Sequence, residues 1–115
     1  MENIQVGEYI RTKQGYIHIV KSVHKDMIWW CDLDWIPEKD IVKHSKDIID
    51  LIKVGDFING KMCIDIEHYT RDDGSNGIDF VCIGGSVLKE NIKSIVTNEQ
   101  FNSIKYEVER WYKNF

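Results

Sequence analysis

Three tryptophans and two aspartates crowd one short stretch, Ile28-Trp29-Trp30-Cys31-Asp32-Leu33-Asp34-Trp35. Read as one extended strand, its two-residue alternation puts Trp29, Cys31, Leu33 and Trp35 on one face and Ile28, Trp30, Asp32 and Asp34 on the other. The first set is wholly apolar and belongs against a core. The second sets an aromatic beside acids. An outward Trp30 flanked by Asp32 and Asp34 can anchor a protein partner or stack a nucleobase. The same ring could instead pack inward against the rest of the chain, since tryptophan is mostly buried even among polar neighbours.

A second candidate lies in Tyr69-Thr70-Arg71-Asp72-Asp73-Gly74-Ser75-Asn76-Gly77. Its guanidinium, Arg71, suits a phosphate or a carboxylate. Asp72 and Asp73 beside Gly74 have the residue types of a calcium loop but not its ligand spacing or its distal Glu. The plain alternative is a solvated hairpin loop. The cysteines, Cys31, Cys63 and Cys82, are odd in number and widely spaced, as in a reduced, cytoplasmic protein. With four histidines they make no zinc spacing: Cys63 and His68 would face opposite ways in a strand. Gly84-Gly85-Ser86 lacks the lysine and following helix of a phosphate loop. No nucleophile elbow is present. These residues point away from an enzyme and call for no metal or cofactor.

Composition bounds the partners. The chain has 115 residues, 43% hydrophobic and 30% charged, with a formal net charge of −4. That is the balance of a folded globular protein. The negative charge argues against general duplex-DNA binding. No apolar run approaches the roughly 20 residues of a membrane span. The start, Met1-Glu2-Asn3-Ile4-Gln5, lacks the layout of a signal peptide.

The elements that must position these residues are short strands arranged twice. Val6-Gly7-Glu8-Tyr9-Ile10 and Val54-Gly55-Asp56-Phe57-Ile58 both read Val-Gly-acid-aromatic-Ile. After the first copy come a polar turn from Arg11 to Gly15, a β-branched strand from Tyr16 to Val23, a turn at His24-Lys25-Asp26, a strand from Met27 to Asp34 and a short strand from Lys39 to His44. Ser45-Lys46-Asp47 then caps a brief helical turn. After the second copy, Asn59-Gly60 closes a tight hairpin. Strands follow at Lys61 to Glu67, Ile78 to Ile83 and within Val87 to Val96, with a polar loop from His68 to Gly77. Thr97-Asn98-Glu99-Gln100 forms a capping box before a helix that buries Phe101 and Ile104. Ile17 and Ile19 match Met62 and Ile64, Ile41 matches Ile92, and Ser45 to Ile49 match Thr97 to Phe101. The aromatic tail from Tyr106 to Phe115, with Trp111 and Tyr112, is expected to dock on its own chain or a twin chain. The expected fold is mostly β: two tandem halves, 1–52 and 53–115, each of short strands with helical turns. Two copies are too few for a solenoid or propeller.

A Val-Gly-acid-aromatic opening, a Gly-containing turn and an Ile-rich strand resemble the start of many SH3-like small barrels. Joined to Asp47-Ile48-Ile49-Asp50-Leu51-Ile52 and to Ile92 through Phe101, they resemble small uncharacterised proteins encoded by phages and prophages of low-GC Gram-positive bacteria. The resemblance implies tandem SH3-like barrels in the host cytosol and a non-catalytic binding protein, such as an inhibitor of a host defence protein. Its candidate contacts are Trp30, Asp32, Asp34, Arg71, Asp72 and Asp73. An alternative is a sponge that sequesters a small nucleotide between halves or subunits, an aromatic holding the base and Arg71 or Arg11 the phosphate. A small hydrolase is the weaker alternative, and a homo-oligomer stays open.

Overall fold

The computed structural model describes residues 3–103. The protein is mostly β, with small antiparallel sheets and a few helical turns. It divides into two compact units, one ending at Leu51 and the next beginning at Ile52.

In the first unit the strands are β1 (Tyr9–Thr12), β2 (Ile17–Ile19), β3 (Ser22–His24), β4 (Met27–Trp29), β5 (Trp35–Pro37) and β6 (Ile41–Ser45). They form two three-stranded sheets, β2-β1-β6 and β3-β4-β5. A 3₁₀ turn, Glu38–Asp40, leads from β5 into β6. In the second unit, β7 (Phe57–Ile58), β8 (Lys61–Thr70), β9 (Asn76–Cys82), β10 (Gly85–Leu88) and β11 (Ile95–Val96) form one sheet in the order β10-β9-β8-β7-β11. A 3₁₀ turn, Lys89–Asn91, again precedes the last strand.

The two plans coincide. In each unit the first strand pairs with the second and with the last, all antiparallel. The Val-Gly-acid-aromatic-Ile segments turn into those first strands in the same way. Gly7 and Gly55 sit at φ of 90° and 100°, where a side chain would be strained. Gly7 N–H donates to the Val20 carbonyl, and Val20 N–H to the Glu8 carbonyl. In the second unit Gly55 donates to Cys63, and Cys63 to Asp56. Val20 is thus the counterpart of Cys63. This corrects the expected match of Ile17 and Ile19 with Met62 and Ile64: Ile19, which faces Tyr9, corresponds to Met62, which faces Phe57. The first turn is shorter in the second unit, so the register moves. Ile41 and Ile92 do correspond; each follows its 3₁₀ turn in extended conformation and donates back to the residue that opens the turn.

A buried carboxylate clasps each repeat. Glu8 Oε1 accepts from Gln5 N–H at 2.7 Å, and Oε2 accepts from His44 Nδ1 at 2.9 Å. Asp56 Oδ2 accepts from Lys53 N–H and Oδ1 from Asn98 N–H, both at 2.9 Å. Each acid ties the turn before the first strand to the end of its unit. The acids are buried, so these bonds offset their desolvation.

The first unit's core is Ile4, Ile10, Val20, Ile28 and Ile41, with Val23 and Ile36 against it. Ile58, Cys63, Phe80 and Cys82 are buried in the second. Ile10 and Ile58, the closing residues of the two repeats, are both fully buried.

Several expected strands are shorter. β1 runs to Thr12, and Arg11, assigned to a polar turn, is buried, its Nη1 donating to the Leu51 carbonyl at 2.9 Å. The Tyr16–Val23 strand is broken between Ile19 and Ser22. The span from Val87 to Val96 splits into β10, a 3₁₀ turn and β11. Thr97 Oγ1 accepts from Gln100 N–H at 3.4 Å at the start of the helix from 98, as a cap should. Phe101 stacks on Phe57, with ring centroids 4.2 Å apart, but is exposed rather than buried. Ile104 and the tail from Tyr106 to Phe115 lie outside the described residues.

Candidate functional site

The face assignment for residues 28–35 is overturned. The strand ends at Trp29 and the chain bends through 30–33, so period-two alternation does not carry across. Ile28, expected outward, is 1% exposed and in the core; Leu33, expected inward, is 93% exposed. Trp29 and Trp35 face each other across β4 and β5, centroids 6.4 Å apart, and neither is fully buried. Trp35 is itself 41% exposed.

The bend carries Trp30 to a neighbour that lies elsewhere in the chain. Its ring stacks on His18 of β2 with centroids 4.1 Å apart and planes 8° apart. His18 in turn lies 6.0 Å from Tyr16, at 16°. Tyr16 and His18 are two positions apart and so share a side of the chain as it enters β2. These rings, with Thr12, Gln14, Asp34 and Ile36, line a groove of about 340 Å³. That volume suits a side chain or small ligand. The groove lies between the first turn, 13–16, and the bend, 30–34.

Electrostatics give the groove a sign. Asp34 Oδ1 accepts from Trp35 N–H at 2.9 Å, which fixes the carboxylate locally. None of the described lining residues is Lys or Arg. Burial pushes the His18 imidazole below its ordinary range, and the charge of Asp34 opposes that shift without cancelling it. The shift favours the neutral imidazole, and Asp34 is the one acidic side chain among the described lining residues.

The other expected site residues fall into two places. Asp32 is exposed on the bend beyond the groove lining. Arg71, Asp72 and Asp73 belong to the second unit, at the tip of the β8–β9 hairpin, which is shorter than expected because β8 runs to Thr70 and β9 starts at Asn76. Arg71 Nη2 donates to Glu90 Oε1 at 3.1 Å, and its guanidinium lies 5.9 Å from the Tyr69 ring centroid. Hydrogen bonding with Tyr69 and with Glu90 raises its pKa further. Asp73 accepts from both Ser75 N–H and Ser75 Oγ, bonds that lower its pKa and shape the turn. Arg71 and Asp73 thus serve the hairpin. Tyr69 covers Gly77 across the ladder; a Cβ there would lie 2.3 Å from the ring.

Trp30 and Asp34 are brought together, and they gain Tyr16 and His18, which pattern reading left out. The alternation of Tyr16 and His18 ahead of Ile19 was the available signal, but only the β1–β2 pairing shows what stands opposite. Comparison with protein-family models, with curated proteins and with solved structures finds no match.

Proposed function

We propose that this chain is a non-catalytic binding protein that holds a segment of a partner protein in the groove of its first unit. The observation that carries this reading is the ring set Tyr16, His18 and Trp30 beside Asp34, lining one open groove. Half-exposed aromatic surface with a fixed carboxylate at its margin is what interface anchors use: area from the rings, orientation from the polar group. The resemblance to small phage-encoded proteins makes a host protein, such as a component of a defence system, the partner class to examine first.

A phosphate-bearing ligand fits the groove less well, since no cation is among its described lining residues. Arg11 is buried against the Leu51 carbonyl and Arg71 lies on the second unit with its Nη2 donating to Glu90, so neither guanidinium named for that role lines this groove.

Affinity capture from host lysate with the parent protein, Trp30→Ala and Asp34→Asn tests the reading, each variant first shown to be folded. A partner retained by the parent and lost with Trp30→Ala is the expected result. Equal capture by all three would move the site off the groove.

A further inference from the structure

The next step rests on that reading of the groove and names what enters it. Tyr16, His18 and Trp30 stack on one another with planes 8° and 16° apart, so the inner faces are covered by neighbouring rings and an incoming group meets the outer faces and edges of the stack. Flat π surfaces attract a cation, and a flat cation makes the most contact with them. Asp34 Oδ1 is occupied by Trp35 N–H, which leaves the lone pairs of Oδ2 for a further donor. Lys13, in the adjoining turn, reaches Asp40 at 3.7 Å and so brings its own counter-charge.

We propose that the groove is a receptor for a guanidinium group: an arginine side chain of the partner lies against an outer face of the ring stack and donates to Asp34. A planar guanidinium stacks and donates in a fixed fork at the same time; a lysine ammonium is a strongly hydrated point charge with no face to stack. An anionic ligand meets Asp34 with no Lys or Arg among the described lining residues to offset it.

His18 makes this binding proton-linked. As a neutral ring it is part of the aromatic wall. Protonated, it is a cation within the same groove and competes for the field of Asp34. The titratable groups lining the groove are Tyr16 and His18 on the β2 side and Asp34 on the bend; Thr12 and Gln14 on the β1 side and Ile36 on β5 carry no charge. Binding of the guanidinium and of a proton at His18 therefore oppose each other, and by reciprocity the bound guanidinium must lower the His18 titration midpoint.

The experiment is NMR titration of the full chain with end-capped Gly-X-Gly peptides, where X is Arg, citrulline, Lys, Leu or Pro. Citrulline keeps the shape of arginine and removes its charge. The Arg peptide is expected to shift the Trp30 indole and His18 ring signals, to lower the His18 midpoint, and to bind about tenfold more tightly than the citrulline peptide. Asp34→Asn should weaken the Arg peptide by a similar factor of about ten. Equal binding of Arg and citrulline, tighter binding of Lys, or an unmoved His18 midpoint overturns the guanidinium assignment. If Leu or Pro peptides then shift the same signals, the groove stays a docking site for another chemistry. If no peptide shifts them, both readings fall.

Discussion

The two units share one strand plan and differ in where that plan is lengthened. In the first unit the long connections are 13–16 and 30–34, and the hairpin turn between β3 and β4 is only Lys25-Asp26. In the second the equivalents of the long pair are Asn59-Gly60 and Ile83-Gly84, while the β8–β9 connection is extended, over 71–75. The first unit's two long connections flank one side of its sheets and leave a groove between them. The second unit's added length becomes a projecting hairpin whose charges and rings close on one another. The same scaffold thus presents a cleft in one copy and an arm in the other. Strand order alone does not determine a site; turn length at particular corners does.

The largest expected effect tests the equivalence itself. Ile10→Ala and Ile58→Ala remove matched, fully buried side chains and should each cost on the order of 2–5 kcal/mol in urea unfolding. A near-zero cost at one of them would break the correspondence of the repeats.

Next come the clasps. Glu8→Gln and Asp56→Asn should each destabilise by about 1–3 kcal/mol, because each leaves a clasp donor without its charged acceptor. Burial raises the Glu8 pKa, but the His44 hydrogen bond, the Gln5 backbone bond and the charges of His44 and Lys46 outweigh it, so the carboxyl sits below its ordinary range. The unfolded chain therefore takes up this proton first as pH falls. The Glu8 contribution is complete above the ordinary carboxylate range and is lost as pH drops through that range toward the folded value. His18, also lowered on folding, adds a loss that begins nearer the ordinary histidine range. Acid titration of stability should flatten in the carboxylate range for Glu8→Gln, and a slope equal to the parent's would remove Glu8 from the account.

Gly77→Ala probes the arm. The new Cβ collides with the far end of the Tyr69 side chain, which is 39% exposed and can swing aside, so the cost should be about 1 kcal/mol or less. Its signature is release of the Arg71–Tyr69 contact, seen as a changed Tyr69 ring signal. An unchanged ring signal would mean that Tyr69 does not rest on Gly77 in solution.

The smallest effect separates the two readings of the tryptophan stretch. Leu33→Ser should change stability by less than about 0.5 kcal/mol, since Leu33 is 93% exposed. A core-sized loss would restore the continuous strand from Met27 to Asp34.

What could be read from residue types was the mostly-β class, the doubled opening segment and the turns that demand particular backbones. Asn59 and Gly60, with φ of 52° and 83°, form the tight turn that their types predict. The correspondence of Ile41 and Ile92 was legible because both follow similar polar triplets, Glu38-Lys39-Asp40 and Lys89-Glu90-Asn91. The inner face of residues 28–35 was not. Alternation is informative only while the strand lasts, and nothing in Trp30-Cys31-Asp32-Leu33 marks the bend. The groove was half legible for the same reason. Trp30 and Asp34 stand out by type, but Tyr16 and His18 join them through the fold of β2, a long-range placement that local spacing does not encode. Arg71 and Asp73 looked available because their partners, Glu90 in the 3₁₀ turn after β10 and Ser75 within the hairpin turn, are ordinary residues with no distinguishing neighbours.

The pairing of first strand with last has a consequence for how each unit can be cut and rejoined. Tyr9 faces Ser45 and Phe57 faces Val96, so the first and last strands of each unit lie about one strand spacing, ~4.8 Å, apart. Strands that lie side by side in this way can be joined by a short linker and new ends opened elsewhere, as circular permutation requires. The tip at 71–75 offers such an opening in the second unit, exposed apart from Arg71 and distant in sequence from the Asp56 clasp. In the first unit the corresponding cut falls at Lys25-Asp26, which leaves 13–16 and 30–34 covalently whole. A permuted first unit would thus keep its groove while its reading order changed.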